Sequence, residues 1–184
     1  MHIFTVINFW VEHLNLYFFK LLIFKFVTIC VGNIDPNRHT AEDVMKAIQV
    51  SFESLLEDEE NQVRGFTYIL DEGGITLSHL SLWNPTEMNK VFGVCERNMP
   101  MRHKKLNFVG LPTICSIVFE CAKSLMTPKL RSRITMHKDM SSLHDVMDRK
   151  ILPKEYGGVM PMAEMIGEYT LIDKLKVQSP YVYI

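Results

Sequence analysis

The side chains able to do chemistry in this sequence are scattered. Cysteines stand at 30, 95, 115 and 121 with no C-x-x-C spacing. Neither a zinc site nor a disulfide framework is suggested, and free thiols in a reducing compartment are the simplest reading. Cys115 and Cys121 fall roughly 240° apart around a helix and cannot face one centre. His137 and His144 have no acidic or thiol partner at ligand spacing, which favours a pair of surface or interface histidines over a metal site. Asp71 and Glu72 offer two carboxylates, but neighbours on a strand point to opposite faces and are poorly placed to share a substrate. No G-x-S-x-G elbow, H-E-x-x-H pair, G-x-G-x-x-G turn or Walker loop occurs. Gly73-Gly74 follows a strand without the further spaced glycines of a phosphate cradle. The expectation is a protein that is not an enzyme, with no catalytic residue, metal or cofactor.

Two basic clusters and a large apolar fraction remain. The 184 residues suffice for one domain, and 47% hydrophobic against 22% charged residues excludes a disordered chain. A net charge of -1 argues against a general nucleic-acid binder, so any anion site must be local. The local candidates are the loop Met99-Pro100-Met101-Arg102-His103-Lys104-Lys105 and the alternation Lys129, Arg131, Arg133. Twelve Met and eleven Phe provide an interior able to repack around an irregular apolar guest.

The elements that would position these residues alternate in type. Phe26–Val31 is β-branched and apolar, a buried strand. Thr40-Ala41-Glu42-Asp43 is a capping-box-like start, followed by Val44, Ala47, Ile48, Phe52, Leu55 and Leu56 at helical spacing. Gly65–Asp71 is a second strand, with Phe66, Tyr68 and Leu70 on one face and Thr67, Ile69 and Asp71 on the other. Residues 78–98 carry a helical pattern broken at Pro85, with Thr86 able to cap its second half. Leu106–Val109 is a third strand. Ile114, Ile117, Val118, Cys121, Ala122 and Leu125 form the clearest amphipathic stripe. Ile134–Met136 is a fourth strand, and Ser142 can cap a short helix through Met147. Strands alternating with helices predict an α/β sheet with largely parallel strands.

Residues 1–25 form an atypical aromatic and apolar segment. Glu12, Lys20 and Lys25 interrupt it, so no 18-residue stretch is free of charge, whereas a membrane span needs about 20 predominantly apolar residues. It lacks the basic start and small-residue end of a signal peptide. A core-packing helix, a piece foreign to the fold and a membrane anchor are the competing readings.

Several segments together resemble a known family. Gly65–Gly74 (GFTYILDEGG) resembles the strand-and-turn signature of the CRAL-TRIO lipid-binding domain. Leu106–Pro112 and Leu125–Ile134 are similar to its next strand and to the segment that closes its gate helix. Leu152-Pro153-Lys154-Glu155-Tyr156-Gly157-Gly158 is the most specific match, close to L-P-x-E-Y-G-G. Asp35-Pro36 with Thr40 and Asp43 is similar to the family's entry into its first helix. The likeness runs over residues 26–167, with 168–184 as a tail, and points to an animal branch of the family. Members usually carry a small helical bundle ahead of this domain, which Met1–Phe26 does not match.

The resemblance implies an α/β fold with a mostly parallel sheet floor, surrounding helices and an apolar cavity under a movable gate helix, Thr113–Met126. By position, Phe66, Leu70, Val91, Cys95, Met99, Leu106, Val118, Cys121 and Leu125 would line the pocket. Arg102, Lys104, Lys129 and Arg133 would bind phosphoinositide head groups. An open gate would expose Phe119, Leu125 and Met126 to a bilayer. The implied function is binding and intermembrane transfer of a tocopherol, retinoid or phospholipid by a monomeric cytoplasmic protein in transient contact with membranes. Nucleic acid is not an expected partner. A membrane-tethered adaptor without a bound lipid is the alternative, and an esterase with an unrecognised site a weaker third.

Overall fold

A computed structural model describes residues 16–20, 25–56, 59–98 and 100–165. Its centre is a five-stranded sheet in the order β1 (Leu16–Lys20), β2 (Lys25–Cys30), β3 (Phe66–Asp71), β4 (His103–Val109) and β5 (Ile134–His137). Strands β2 to β5 run parallel, and β1 pairs antiparallel with β2, Leu16 opposite Ile29 and Lys20 opposite Lys25. The parallel strands need long crossovers, which contain α1 (Ala41–Leu56), α2 (Glu59–Arg64), α3 (Leu77–Leu82), α4 (Pro85–Gly93), α5 (Thr113–Ala122) and α6 (Pro128–Arg131). Helices α7 (Met140–His144) and α8 (Met162–Met165) follow β5. Among the described residues no helix is long and apolar enough to cross a membrane.

The alternation along β3 divides the interior in two. Phe66, Tyr68 and Leu70 join Val27, Ile29, Val44, Ala47 and Phe52 on the face covered by α1. Ile69 joins Val109, Leu143, Met147, Leu152 and Tyr156 on the opposite face. Helix α1 begins with a reciprocal cap. The Asp43 N–H donates to Thr40 Oγ1 at 3.2 Å, and the Thr40 N–H to Asp43 Oδ2 at 3.0 Å.

Several local expectations are corrected. Part of the N-terminal segment, Leu16–Lys20, is an edge strand rather than a helix; residues 1–15 and 21–24 lie outside the described residues. Asn84, not Thr86, caps α4, because Pro85 occupies the first helical position and Asn84 Oδ1 accepts from Thr86 N and Glu87 N. Asp139, not Ser142, caps α7. Strand β4 begins three residues early, since the buried imidazole of His103 draws part of the basic loop into the sheet. Its Nε2–H donates to the Cys95 carbonyl at 2.9 Å, and its Nδ1 accepts from the Tyr68 hydroxyl at 2.8 Å. His137 is not a surface residue, and His144 is half-buried. His137 is buried and bonded to Asn107 Oδ1, and His144 Nε2 donates to the Tyr156 carbonyl.

The L-P-K-E-Y-G-G segment closes the second face. Its chain crosses so tightly that a Cβ on Gly158 would meet the Leu152 carbonyl oxygen at 1.6 Å. The Glu155 carboxylate accepts from the Met162 N–H at 2.9 Å, and Lys154 N–H donates to the Met160 carbonyl at 2.7 Å.

Candidate functional site

An apolar cavity of about 200 Å³ lies on the α1 face of the sheet, toward the carboxyl ends of its parallel strands. Ile29, Leu70 and Phe108 form its floor on β2, β3 and β4. Val44 and Ile48 of α1, Leu80 of α3, and Met88, Val91 and Phe92 of α4 form its walls, and Cys115, Val118 and Phe119 of α5 its roof. The two rings nearest the roof, Phe108 and Phe119, pack at 4.5 Å between centroids.

Two lining side chains can titrate. Glu72, 6% exposed, sits where β3 ends, its carboxyl pushed up to about 8 by burial and then by the neighbouring Asp71 charge. Burial also raises the Cys115 thiol, and the Glu72 charge adds to this. No hydrogen bond or ion pair among the described residues holds the Glu72 carboxyl.

Helix α5 is held by a narrow stripe. Cys115 and Ala122 are buried and Phe119 is half-buried. Ile114 and Ile117, by contrast, are 62% and 68% exposed, and Cys121 and Leu125 face solvent beside them. The amphipathic stripe is therefore split: Val118 and Ala122 turn inward, Val118 to the cavity, while Ile114, Ile117, Cys121 and Leu125 turn outward, contrary to a reading in which the whole stripe faces the core. The helix ends at Ala122 and continues as one 3-10 turn, Lys123–Leu125, to the buried Met126. There the Thr127 hydroxyl donates to Glu96 Oε1 at 2.5 Å, tying this end to the π-helical turn Val94–Asn98 that follows α4.

A family model described as the CRAL/TRIO domain matches residues 26–158. The chain belongs to the CRAL/TRIO family. Clavesin-2 of Homo sapiens is 30% identical over 142 residues, covering 77% of this chain and 43% of that protein. The Homo sapiens protein named alpha-tocopherol transfer protein-like is 35% identical over 124 residues, covering 67% of this chain and 36% of that protein. The chain thus spans less than half the length of these relatives. The crystal structure of Sfh5 superposes with a TM-score of 0.65 over 91% of this chain and 67% of that chain, at 13% identity, which is a likeness of fold. CRAL/TRIO proteins bind and transfer lipophilic ligands.

Against that family pattern, Leu70, Val91 and Val118 come together on the cavity. Phe66 and Leu106 belong instead to the packed core beneath α1. Cys95 contributes its carbonyl to His103, and burial followed by the Glu96 charge pushes its thiol up to about 11. Cys121 and Leu125 lie on the solvent face of the helical segment, away from the cavity lining. Met99 lies outside the described residues. Arg102 and Lys104 sit at the amino end of β4, and Arg133 immediately precedes β5, where its carbonyl accepts from the Leu106 N–H at 2.9 Å. Lys129 stands four residues earlier on α6, exposed.

The cavity residues that sequence reasoning missed include Ile29, Phe108, Cys115 and Glu72. Ile29 and Phe108 were legible in the alternation of their strands. Cys115 and Glu72 carried no motif, because a small thiol inside a helix and one acid beside another look unremarkable in one dimension.

Proposed function

We propose that this chain carries a hydrophobic small molecule or lipid in the cavity and moves it between membranes. The observation that supports this most is the apolar cavity, closed on one side by a helix that buries small side chains and turns isoleucines outward. A ligand with roughly 400 Å² of apolar surface gains about 10 kcal/mol on leaving water, less the cost of ordering it. The cavity is smaller than the about 300–1,000 Å³ of drug-sized sites. A tocopherol, retinoid or phospholipid chain therefore requires α5 to lift. Lifting brings Phe119 to the same lipid-facing surface as Ile114 and Ile117.

Docking on phosphoinositide-bearing membranes belongs to the same reading. Arg102, Lys104, Lys129 and Arg133 supply the charge, Arg through its planar fork and Lys as a point charge. Each basic residue near an anionic surface contributes about 1 kcal/mol. A cytoplasmic, monomeric carrier with transient membrane contact follows, and no step in its cycle requires a catalytic group.

Native mass spectrometry of the purified chain, before and after organic extraction, tests the reading. A stoichiometric apolar ligand that is lost on extraction and regained from lipid vesicles is the expected result. A chain that holds no ligand, takes none up and stays with membranes is instead a tethered adaptor.

A further inference from the structure

Glu72 is a carboxyl placed where a leucine would cost less. It lies on an otherwise hydrocarbon wall, 6% exposed, with no hydrogen-bond donor or cation from the described residues to meet it. Removing a carboxyl from water without a partner costs several kcal/mol, so its retention calls for a partner that arrives from outside the fold. Its backbone is fixed from both sides. The Glu72 N–H donates to the Val109 carbonyl at 2.9 Å, and its carbonyl accepts from the Ile75 N–H at 3.2 Å. Strand parity sends Asp71 to the Tyr156 hydroxyl on one face of the sheet and Glu72 to the cavity on the other.

We propose that Glu72 is the polar end of the cavity, hydrogen-bonding an uncharged hydroxyl or carbonyl terminus of the ligand while the hydrocarbon part lies along Leu70, Val91 and Phe108. This rests on the cavity being the carrier's binding site. The chemistry selects an uncharged terminus. With its proton held up to about 8, the carboxyl both donates and accepts at neutral pH, which suits an alcohol or a carbonyl. Among the described residues no Lys, Arg or His lines the cavity to neutralise a ligand carboxylate. A ligand amine would have to take the Glu72 proton and bury a new ion pair, whose desolvation offsets its attraction.

The test uses the full chain loaded with a dodecyl-pyrene probe, displaced by dodecan-1-ol, dodecane, dodecylamine or dodecanoate. The readout is the affinity of dodecan-1-ol relative to dodecane. In Glu72→Leu this ratio is expected to fall by on the order of tenfold, and in Glu72→Gln to stay within about threefold of the parent. Thermal melts accompany both variants, and Glu72→Leu is expected to melt no lower than the parent. Should it not fold, Glu72→Met takes its place. An unchanged ratio with dodecane still displacing the probe overturns the role of Glu72 and leaves the carrier reading standing. Dodecylamine or dodecanoate outcompeting dodecan-1-ol in a Glu72-dependent way overturns the uncharged terminus. Failure of the probe to bind at all overturns the carrier reading together with this one.

Discussion

The Tyr156 hydroxyl donates to Asp71 Oδ2 at 2.9 Å, joining the L-P-K-E-Y-G-G segment to the end of β3 across 85 residues of chain. The same carboxyl accepts from the Gly73 N–H through Oδ1 at 2.9 Å, so one side chain anchors both the turn after β3 and the closing segment. The motif that identifies the family is thus a clamp on the far face of the sheet, opposite the cavity.

Removing that clamp should cost stability and spare binding. Tyr156→Phe keeps the buried ring and loses the hydroxyl, and is expected to destabilise by about 1–3 kcal/mol in urea unfolding. Ligand affinity is expected to stay unchanged, because the ring packs with Ile69 and Leu152 rather than the cavity. A variant as stable as the parent would remove the clamp from the account.

Stability should fall on both sides of mid-range pH, for separable reasons. Glu72, raised from 4.5 to about 8, keeps its proton in the folded chain after the unfolded chain has lost it. Its contribution is full below about pH 4.5 and is lost as pH rises through about 8, a change of up to about 5 kcal/mol. Burial lowers His103 and His137 from 6.5, so the unfolded chain takes up protons first. Their contribution is present above about pH 6.5 and declines as pH falls below it. Urea midpoints at pH 5, 6.5 and 8 should show Glu72→Leu gaining on the parent as pH rises. Parallel curves would show that Glu72 is solvated.

Membrane docking can be resolved by charge. Arg102→Ala and Arg133→Ala are each expected to weaken binding to phosphoinositide liposomes, with the double variant departing from the sum if one phosphate is shared. Added salt should bring the parent toward the variants, since exposed charges are screened beyond about 8 Å at physiological ionic strength. Lys154→Ala, on the closing segment, is the control. Equal losses in Lys154→Ala and Arg133→Ala would reduce the effect to nonspecific charge.

The outward isoleucines give a test independent of charge. Ile117→Glu should leave stability within about 0.5 kcal/mol, as for other exposed positions, while slowing transfer of a preloaded probe to neutral vesicles severalfold. Normal transfer would mean that α5 does not enter the bilayer.

Strand alternation and helix spacing carried most of the architecture. Phe66, Tyr68 and Leu70 share a face as their period requires, and the Thr40–Asp43 cap was readable in four letters. The α5 stripe misled in part, at Ile114, Ile117, Cys121 and Leu125 but not at Val118 and Ala122, because periodicity marks an apolar face without saying how much of it the protein covers. The same holds at His103, where a basic run reads as a loop until Tyr68, 35 residues away, and the carbonyl of the nearer Cys95 meet the imidazole. Glu72 was legible as one of two carboxylates on opposite faces, but its place in the cavity was not, for a related reason. A lone acid beside another carries no pattern, and only the closure of α1, α4 and α5 over β3 makes its environment dry.

The inside-out packing of α5 has an energetic meaning of its own. A helix that buries a cysteine and an alanine while leaving two isoleucines in water contributes little of the area that holds a domain together. Its amides should therefore exchange with solvent through a local opening far less costly than global unfolding, while those of β3 and β4, walled by both interiors, wait for the whole domain. Deuterium uptake fastest along Thr113–Ala122 is the signature of a cover that detaches without the sheet beneath it changing shape.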